Sequence, residues 1–315
     1  MQNKQLRGTI YILIATIIWG SCFVAQSAST IGPFTYQGVR SIIGALFLVV
    51  LSLVLDEISK KRDPDAEITG WTDKTLLVGG LVCGLVLFGA MNLQQFGMHF
   101  GTEAGKAGFI TAMYILIVPV IGLFMKKRVG VNVWLGIAVA VVGLFLLCVD
   151  PKEGLRLQSG DIYVILCAVV FAFHITVVDY YAPKVDGVKL SCVQFIVAGG
   201  ISCICMFIFE EPKVSEIVDN TVPVLYAGIG SSGIAYTLQI IGQKYSPPTL
   251  ASLAMSFESV FAVLSQVAVT FIVYLAGKGE LVLPTGREIL GCVIMFAAIM
   301  LAQFEFPKKK IKVSE

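Results

Sequence analysis

The chain has 315 residues, of which 57% are hydrophobic and 14% are charged, and its formal net charge is +2. A soluble globular protein carries about 25% charged residues, so this composition excludes an ordinary soluble fold. Windows of about 20 apolar residues recur along the whole sequence, and each can cross roughly 30 Å of hydrocarbon. Because backbone groups in lipid must be hydrogen-bonded within their own segment, these windows predict helices.

Ten such windows predict an all-α integral membrane protein with ten transmembrane helices. In chain order they cover approximately residues 8–26, 35–55, 76–100, 104–125, 131–149, 160–182, 189–209, 222–244, 248–276 and 286–304. The first window follows Lys4 and Arg7, as the apolar region of a signal peptide would. We favour a membrane helix there, because the same pattern returns in the middle of the chain.

The positive charges predict which side of the membrane each connection faces. The positive-inside rule places the connections richest in lysine and arginine in the cytoplasm. These connections contain Lys4, Arg7, Lys60, Lys61, Arg62, Lys74, Lys126, Lys127, Arg128, Lys184, Lys189, Lys244, Lys308, Lys309, Lys310 and Lys312. The other connections hold Lys106, Lys152, Arg156, Lys213, Lys278 and Arg287. Both termini are then cytoplasmic in a bacterial inner (plasma) membrane. The basic tail KKKIK is expected to rest on anionic lipid, and nucleic acid is not an expected partner.

The sequence contains one five-helix pattern twice. GTIYILIATIIWG begins at Gly8 and GDIYVILCAVVFA begins at Gly160, and the two segments match in register. We therefore divide the chain into a first repeat over residues 8–149 and a second repeat over residues 160–305. Because each repeat has an odd number of helices, the second enters the membrane from the opposite side. Such an inverted-topology repeat is typical of secondary transporters.

The predicted helices differ in polarity. The fifth and tenth are almost wholly apolar and are expected at the periphery, where they are available for contact in a homodimer. The third and eighth each carry a polar stripe on one face. The stripes consist of Asn92, Gln95 and His99 on the third helix and Ser232, Tyr236, Gln239 and Gln243 on the eighth. Two interpretations are open: the stripes line a shared wet cavity, or they hydrogen-bond neighbouring helices together.

Glu258 is the only formal charge in the apolar run from Leu250 to Ala276. A charge at the centre of a lipid-spanning helix costs roughly 2.5–3.5 kcal/mol, so this carboxylate is expected to face polar surroundings. A carboxylate in a low-dielectric cavity has a raised proton affinity, and we hypothesise that Glu258 binds a proton or a substrate amine. His174 lies at a similar depth and is a candidate proton partner, although a core histidine is the favoured interpretation. The alternative for Glu258 is a buried, hydrogen-bonded carboxyl that fixes a helix.

Other candidate residues also have a structural alternative. Trp19 and Tyr114 either stack on a substrate or pack in a helix interface. For Arg40 the favoured interpretation is a structural role, in which its head snorkels to the outer surface or pairs with Glu103. The alternative is that Arg40 recognises an anion at the outer mouth. Lys106, at the outer start of the fourth helix, is expected to be solvated.

Two segments in the first repeat are WGSCFVAQ from Trp19 and PFTYQGVRSIIGAL, which contains Arg40. They resemble the opening motif and the arginine segment of the EamA-type members of the drug/metabolite transporter superfamily. TEAGKAGFITAMYILIVPVIGLFM resembles the fourth-helix segment with its proline at Pro119. YSPPTLASLAMSFESVFAVLSQ resembles the ninth-helix segment, where Ser259 replaces a common proline. That replacement predicts a less kinked ninth helix.

The resemblance implies ten helices, a central cavity between two halves and alternating access without ATP. It implies that the solutes are amino acids, other small metabolites or drugs. The chain carries no G-x-S-x-G, H-E-x-x-H or P-loop motif, and its cysteines form no C-x-x-C pair. We therefore expect no enzyme, no metal and no other cofactor, and interpret the chain as an exporter of small organic solutes. The alternatives are a polytopic membrane enzyme with Glu258 and His174 as acid and base, or a sensor without solute flux.

Overall fold

The structure, a computed structural model, describes residues 2–27, 29–65, 68–102, 104–149 and 158–303. Every regular element in these ranges is helical. The first seven helices are α1 (Gln2–Ser27), α2 (Pro33–Arg62), α3 (Lys74–His99), α4 (Ala104–Ala112), α5 (Tyr114–Phe124), α6 (Val131–Cys148) and α7 (Ser159–Tyr181). They are followed by α8 (Gly187–Phe209), α9 (Val214–Asp219), α10 (Thr221–Leu225), a π-helical segment (Tyr226–Ala235), α11 (Tyr236–Gln243), α12 (Pro248–Met255), α13 (Glu258–Leu275) and α14 (Gly286–Gln303).

The helices fall on the predicted apolar windows, and eight helical segments are long and apolar enough to cross a membrane. These are Asn3–Gln26, Pro33–Arg62, Lys74–His99, Lys106–Phe124, Ser159–Tyr181, Gly187–Phe209, Thr221–Gln243 and Pro248–Leu275. A shorter apolar helix covers Val131–Leu147. The prediction of an all-α, multi-pass membrane protein is confirmed.

Short polar side chains set where several helices begin. The Asp73 carboxylate accepts a hydrogen bond from the Leu76 amide at the start of α3. The Asp186 carboxylate accepts one from the Lys189 amide at the start of α8. Such caps satisfy amide groups that have no partner within the helix. Proline occupies the first turn of α2, where its missing amide hydrogen costs no hydrogen bond.

Helices α2 and α8 pack along their length and are joined at both ends. At the predicted outer end, the Glu210 carboxylate accepts hydrogen bonds from the Phe34 and Thr35 amides, each at 2.8 Å. At the predicted inner end, Lys189 forms an ion pair with Asp56 at 2.7 Å. Because both of their ends are joined, α2 and α8 form one tightly connected helix pair.

The apolar helices α6 and α14 pack against each other through small residues. A side chain at Gly136 would collide with Ala302, and one at Gly143 would meet Met295. Asn132 also donates to the Ala302 carbonyl oxygen at 2.7 Å. Close backbone approach at small residues is a common way to join helices in lipid. This pair lies beside the bundle that contains the polar side chains, and no residue of α6 or α14 lines the main cavity.

Candidate functional site

A cavity lies between α1, α2, α3, α7, the π-helical segment and α11. The junction between α4 and α5 and the junction between α12 and α13 complete its wall. Its walls are Trp19, Cys22, Phe23, Gln26, Arg40, Met91, Gln94, Thr111, Tyr114, Phe171, Ile175, Ser231, Tyr236, Gln239, Met255 and Glu258. About 50 Å³ is open to the centre of a water molecule. Since one water needs about 10–15 Å³ by this measure, the cavity has room for a few waters. A larger solute requires a wider conformation than this one.

The fourth and ninth predicted spans are each interrupted at the cavity. Helix α4 ends at Ala112 and α5 begins at Tyr114, while α12 ends at Met255 and α13 begins at Glu258. Tyr114 and Glu258 are therefore each the first residue after a break. The Tyr114 hydroxyl donates to Glu258 Oε1 at 3.3 Å. The Tyr114 hydroxyl and the partial positive charge at the start of α13 give Glu258 polar surroundings inside an apolar run.

The ninth span is interrupted at Ser256 and Phe257 although Ser259 stands in place of the common proline. The Ser256 hydroxyl donates to the Leu253 carbonyl oxygen at 2.7 Å. The Phe257 amide donates to the Ala254 carbonyl oxygen, three residues back instead of four. Serine bonds of this kind compete with the helical ladder and bend helices. Serine chemistry thus interrupts this helix without a proline.

Trp19 and Tyr236 form the aromatic wall of the cavity. Their ring centroids are 4.9 Å apart in an edge-to-face arrangement. Gln239 donates through Nε2 to Gln243 Oε1 at 2.9 Å. Within the described residues, Trp19 Nε1 and Gln239 Oε1 are buried and have no hydrogen-bond partner. Both unpaired groups belong to side chains of the cavity wall.

Arg40 brings a second charge to the cavity and is 4% exposed. Its Nη2 donates to Ser231 Oγ at 2.8 Å and its Nε donates to Ser232 Oγ at 3.3 Å. Both serines belong to the π-helical segment Tyr226–Ala235. Glu103, the predicted partner of Arg40, lies outside the described residues. Helical segments of this type occur often at functional sites.

The polar stripe of α3 does not line the cavity as a unit. Asn92 donates to Ser202 Oγ on α8 at 3.0 Å, which joins two helices. Gln95 accepts a hydrogen bond from Gln26 Nε2 at 2.5 Å, and Gln26 lines the cavity. His99 lies at the end of α3 beside a separate pocket of about 370 Å³. The spacing i, i+3, i+7 puts these side chains on one face but spreads them over about 10 Å of helix.

Two further candidates lie behind the cavity wall. His174 is fully buried, and its Nε2 is 3.1 Å from Gln194 Oε1 on α8. The structure therefore pairs His174 with Gln194 and not with Glu258. Ser232 contacts Arg40 and is not part of the wall, whereas its neighbour Ser231 is.

Sequence reasoning missed several polar residues that do line the cavity. They are Cys22, Gln26, Gln94, Thr111 and Ser231. Cys22 and Gln26 lie within the motif WGSCFVAQ, so the motif itself could have indicated that they line the cavity. Gln94 adjoins Gln95, so only the rotation of α3 against its neighbours decides which of the two faces the cavity.

Lys106 is not solvated as expected. Its ammonium group forms an ion pair with Asp161 at 2.5 Å, and the Asp161 side chain is fully buried. The Thr102 hydroxyl donates to the other carboxylate oxygen of Asp161 at 3.0 Å. The first turns of α4 and α7 are therefore tied together at the predicted outer side.

Comparison with known proteins agrees with this architecture. The sequence model of the EamA-like transporter family matches residues 6–149 and 158–277. An Archaeoglobus fulgidus protein described as an uncharacterized transporter is 26% identical over 278 residues, which are 84% of this chain and 79% of that protein. A solved structure described only as a crystal structure of a protein superposes with a TM-score of 0.71. It is 19% identical and covers 94% of this chain and 96% of its own, so it supports the fold alone.

Proposed function

The chain belongs to the EamA-like transporter family, and from this premise we propose that it is a secondary transporter of small organic solutes. As a member of that family it is a membrane transporter of the drug/metabolite type. The proposal adds that solutes such as amino acids, other metabolites or drugs bind in the central cavity. It also adds that access alternates between the two sides without ATP. No catalytic step is assigned to the chain.

The observation that carries the proposal is the meeting of two interrupted helices at Tyr114 and Glu258. Interrupted helices within the membrane leave backbone polar groups and helix ends free to contact a solute or an ion. Both breaks lie at residues that line one cavity, whose wall also includes the polar side chains of Trp19 and Gln239.

Alternating access is supported by two similar helix crossings near opposite ends of the bundle. A side chain at Gly8 on α1 would collide with the Gly242 carbonyl oxygen on α11. A side chain at Gly160 on α7 would collide with the Gly97 carbonyl oxygen on α3. In the proposed inverted repeats, 8–149 and 160–305, these glycines hold related positions. Opening one crossing while the other stays closed would expose the cavity to one side at a time.

Glu258 is the residue proposed to couple transport to a proton or to bind a substrate amine. It is 7% exposed, lines the cavity and has no cation within 4 Å among the described residues. A carboxyl group in this place can exchange a proton with the cavity or hold a protonated amine. With His174 bonded to Gln194, Glu258 acts in this proposal without a histidine partner.

The remaining parts of the proposal concern setting and assembly. The lysine-rich connections favour a plasma membrane protein, of the bacterial inner membrane, with both termini in the cytoplasm. Export is the proposed direction. The proposed assembly is a homodimer. It would form through the faces of α6 and α14 that point away from the bundle, where several large apolar side chains, such as Val142 and Phe296, are exposed.

The test is flux through the purified protein in sealed vesicles, with and without a pH gradient. A thermal-shift screen of a metabolite panel first identifies a solute that stabilises the protein. We expect wild-type flux of that solute to rise with the gradient. We expect Glu258→Gln to lower gradient-driven flux at least 10-fold and to remove its pH dependence, because the amide cannot exchange a proton.

Glu57→Gln is the matched control, since Glu57 is an exposed carboxylate paired with Lys61 on α2. It should transport like wild type. Glu258→Gln with unchanged rate and unchanged pH dependence would remove this residue from the mechanism. Chemical conversion of the solute in open vesicles would favour the membrane enzyme, and binding without flux would favour the sensor.

A further inference from the structure

Arg40 is a buried cation that has no carboxylate partner among the residues that the structure describes. Among the residues that the structure describes, no Asp or Glu oxygen lies within 4 Å of its guanidinium. Its guanidinium donates hydrogen bonds to Ser231 and Ser232, and it lies 5.7 Å from the centre of the Tyr36 ring. Burying a charge is costly unless it is paired, so charges within a membrane protein mark candidate ligand sites.

The serine hydroxyls are weak substitutes for an anion. A guanidinium has five N–H donors in a planar fork that fits a carboxylate through two parallel bonds. Bonds between charged partners are roughly twice as strong as those to neutral acceptors. A carboxylate that enters the cavity can therefore displace at least one of the serines from Arg40.

The position of Arg40 places this fork where a solute would lie. Arg40 and Glu258 line the same cavity, and no ion pair joins them. One wall therefore carries a positive group and another carries a carboxyl group. Ser231, which holds Arg40 in the present conformation, is also part of the wall.

The serines also connect Arg40 to the backbone of a neighbouring helix. Helix α2 approaches the π-helical segment so closely that a side chain at Gly44 would meet Ser232 and the Gly228 carbonyl oxygen. Displacing Ser231 from Arg40 removes a polar tie between α2 and this segment. A ligand at Arg40 thereby acts on the helix that carries Tyr236 and Gln239 in the cavity wall.

We propose that Arg40 is the specificity-determining residue that binds the carboxylate of the transported solute, and that this carboxylate displaces Ser231. The inference rests on the proposed function, because the ligand is the transported solute. It restricts the substrates to carboxylates, and it excludes neutral solutes and plain amines as preferred cargo.

The experiment compares matched probes by thermal unfolding of the purified full chain in detergent. The probes are α-amino acids with several side chains, their amides, the corresponding carboxylic acids without the amino group, and sodium chloride at equal ionic strength. We expect amino acids and carboxylic acids to bind at least 10-fold more tightly than amides. Chloride alone, which separates a general anion effect from carboxylate binding, should give no comparable stabilisation.

Two variants test the assignment with opposite signs. Arg40→Gln should make acid and amide bind equally, whereas Arg62→Gln, an exposed position on the same helix, should keep the preference. Ser231→Ala should tighten acid binding about 2- to 10-fold, because the acid no longer competes with a hydroxyl for Arg40. A folding role alone would lower stability in both variants without moving the ratio of acid to amide affinity.

Each contrary result has a distinct meaning. Equal binding of acid and amide by wild type, or no binding of any carboxylate in the panel, overturns the inference. An unchanged preference in folded Arg40→Gln, or weaker acid binding in Ser231→Ala, overturns it as well. Selective acid binding without vesicle flux would leave this inference standing and overturn only the proposed transport.

Discussion

The two glycine crossings of the molecule share their backbone contact but differ in their charges. At the predicted inner side, α1 meets α11 at Gly8 and Gly242, and at the predicted outer side, α7 meets α3 at Gly160 and Gly97. In the first crossing, Ile12, four residues after Gly8, contacts Gly242. In the second crossing, Val164, four residues after Gly160, contacts Gly97. The backbone geometry of the two is therefore closely similar.

The side chains around the crossings are not equivalent. Next to Gly160, the buried Asp161 forms an ion pair with Lys106. Next to Gly8, Thr9 occupies the matching position and donates within its own helix to the Gln5 carbonyl oxygen. No ion pair joins α1 to α11 in the part of the chain that the structure describes. The comparison teaches that two crossings with similar packing can be held together with different strength, and the crossing with the buried ion pair is expected to be the harder one to open.

The largest expected effect comes from removing the cation of the outer crossing. Lys106→Met leaves the Asp161 carboxylate buried without its partner, which should lower the free energy of unfolding by about 3–5 kcal/mol. Thermal or denaturant unfolding in detergent measures the loss. Lys213→Met is the control, because Lys213 belongs to an exposed ion pair with Glu216 and should cost less than about 1 kcal/mol. Equal losses in the two variants would refute a special role for the outer ion pair.

An intermediate effect is expected from adding a side chain at either crossing. Gly160→Val and Gly8→Val each force their crossing apart, at a cost of about 1–3 kcal/mol. Cys22 lines the cavity and serves as the reporter for a membrane-impermeant thiol reagent, in a background without the other cysteines. Gly160→Val should increase labelling from outside, and Gly8→Val should increase it from inside.

The control for added volume is Gly200→Val, since a side chain at Gly200 on α8 meets no atom within 4 Å. It should leave labelling unchanged from both sides. If Gly160→Val and Gly8→Val raise labelling from the same side, the two crossings are not gates on opposite faces.

The smallest effect is expected at the inner counterpart of the ion pair. Thr9→Val removes one hydroxyl bond within α1 and should lower stability by about 0.5–1.5 kcal/mol. Asp161→Asn, the matched change in the other crossing, should cost more because it removes the buried carboxylate that contacts both Lys106 and Thr102. A larger loss for Thr9→Val than for Asp161→Asn, measured in parallel unfolding experiments, would reverse the assigned asymmetry.

Much of the fold was predictable because hydropathy is a local property. The apolar windows predicted the helices, and the lone carboxylate at Glu258 marked a residue that does line the cavity. The same reasoning misjudged Lys106, whose partner Asp161 lies 55 positions away in the chain. It did not predict the interruption at Ser256, whose hydroxyl bonds to the backbone of its own helix.

The sequence by itself determined the number and order of the apolar segments, the sided distribution of positive charge and the repeated pattern that begins at Gly8 and Gly160. These features follow from side-chain chemistry and spacing along one segment. Only the tertiary structure decided that Gln94 and Arg40 line the cavity while Asn92, His99 and His174 contact other neighbours. The depth and rotation of each helix depend on packing against distant segments, which the spacing within one helix does not encode.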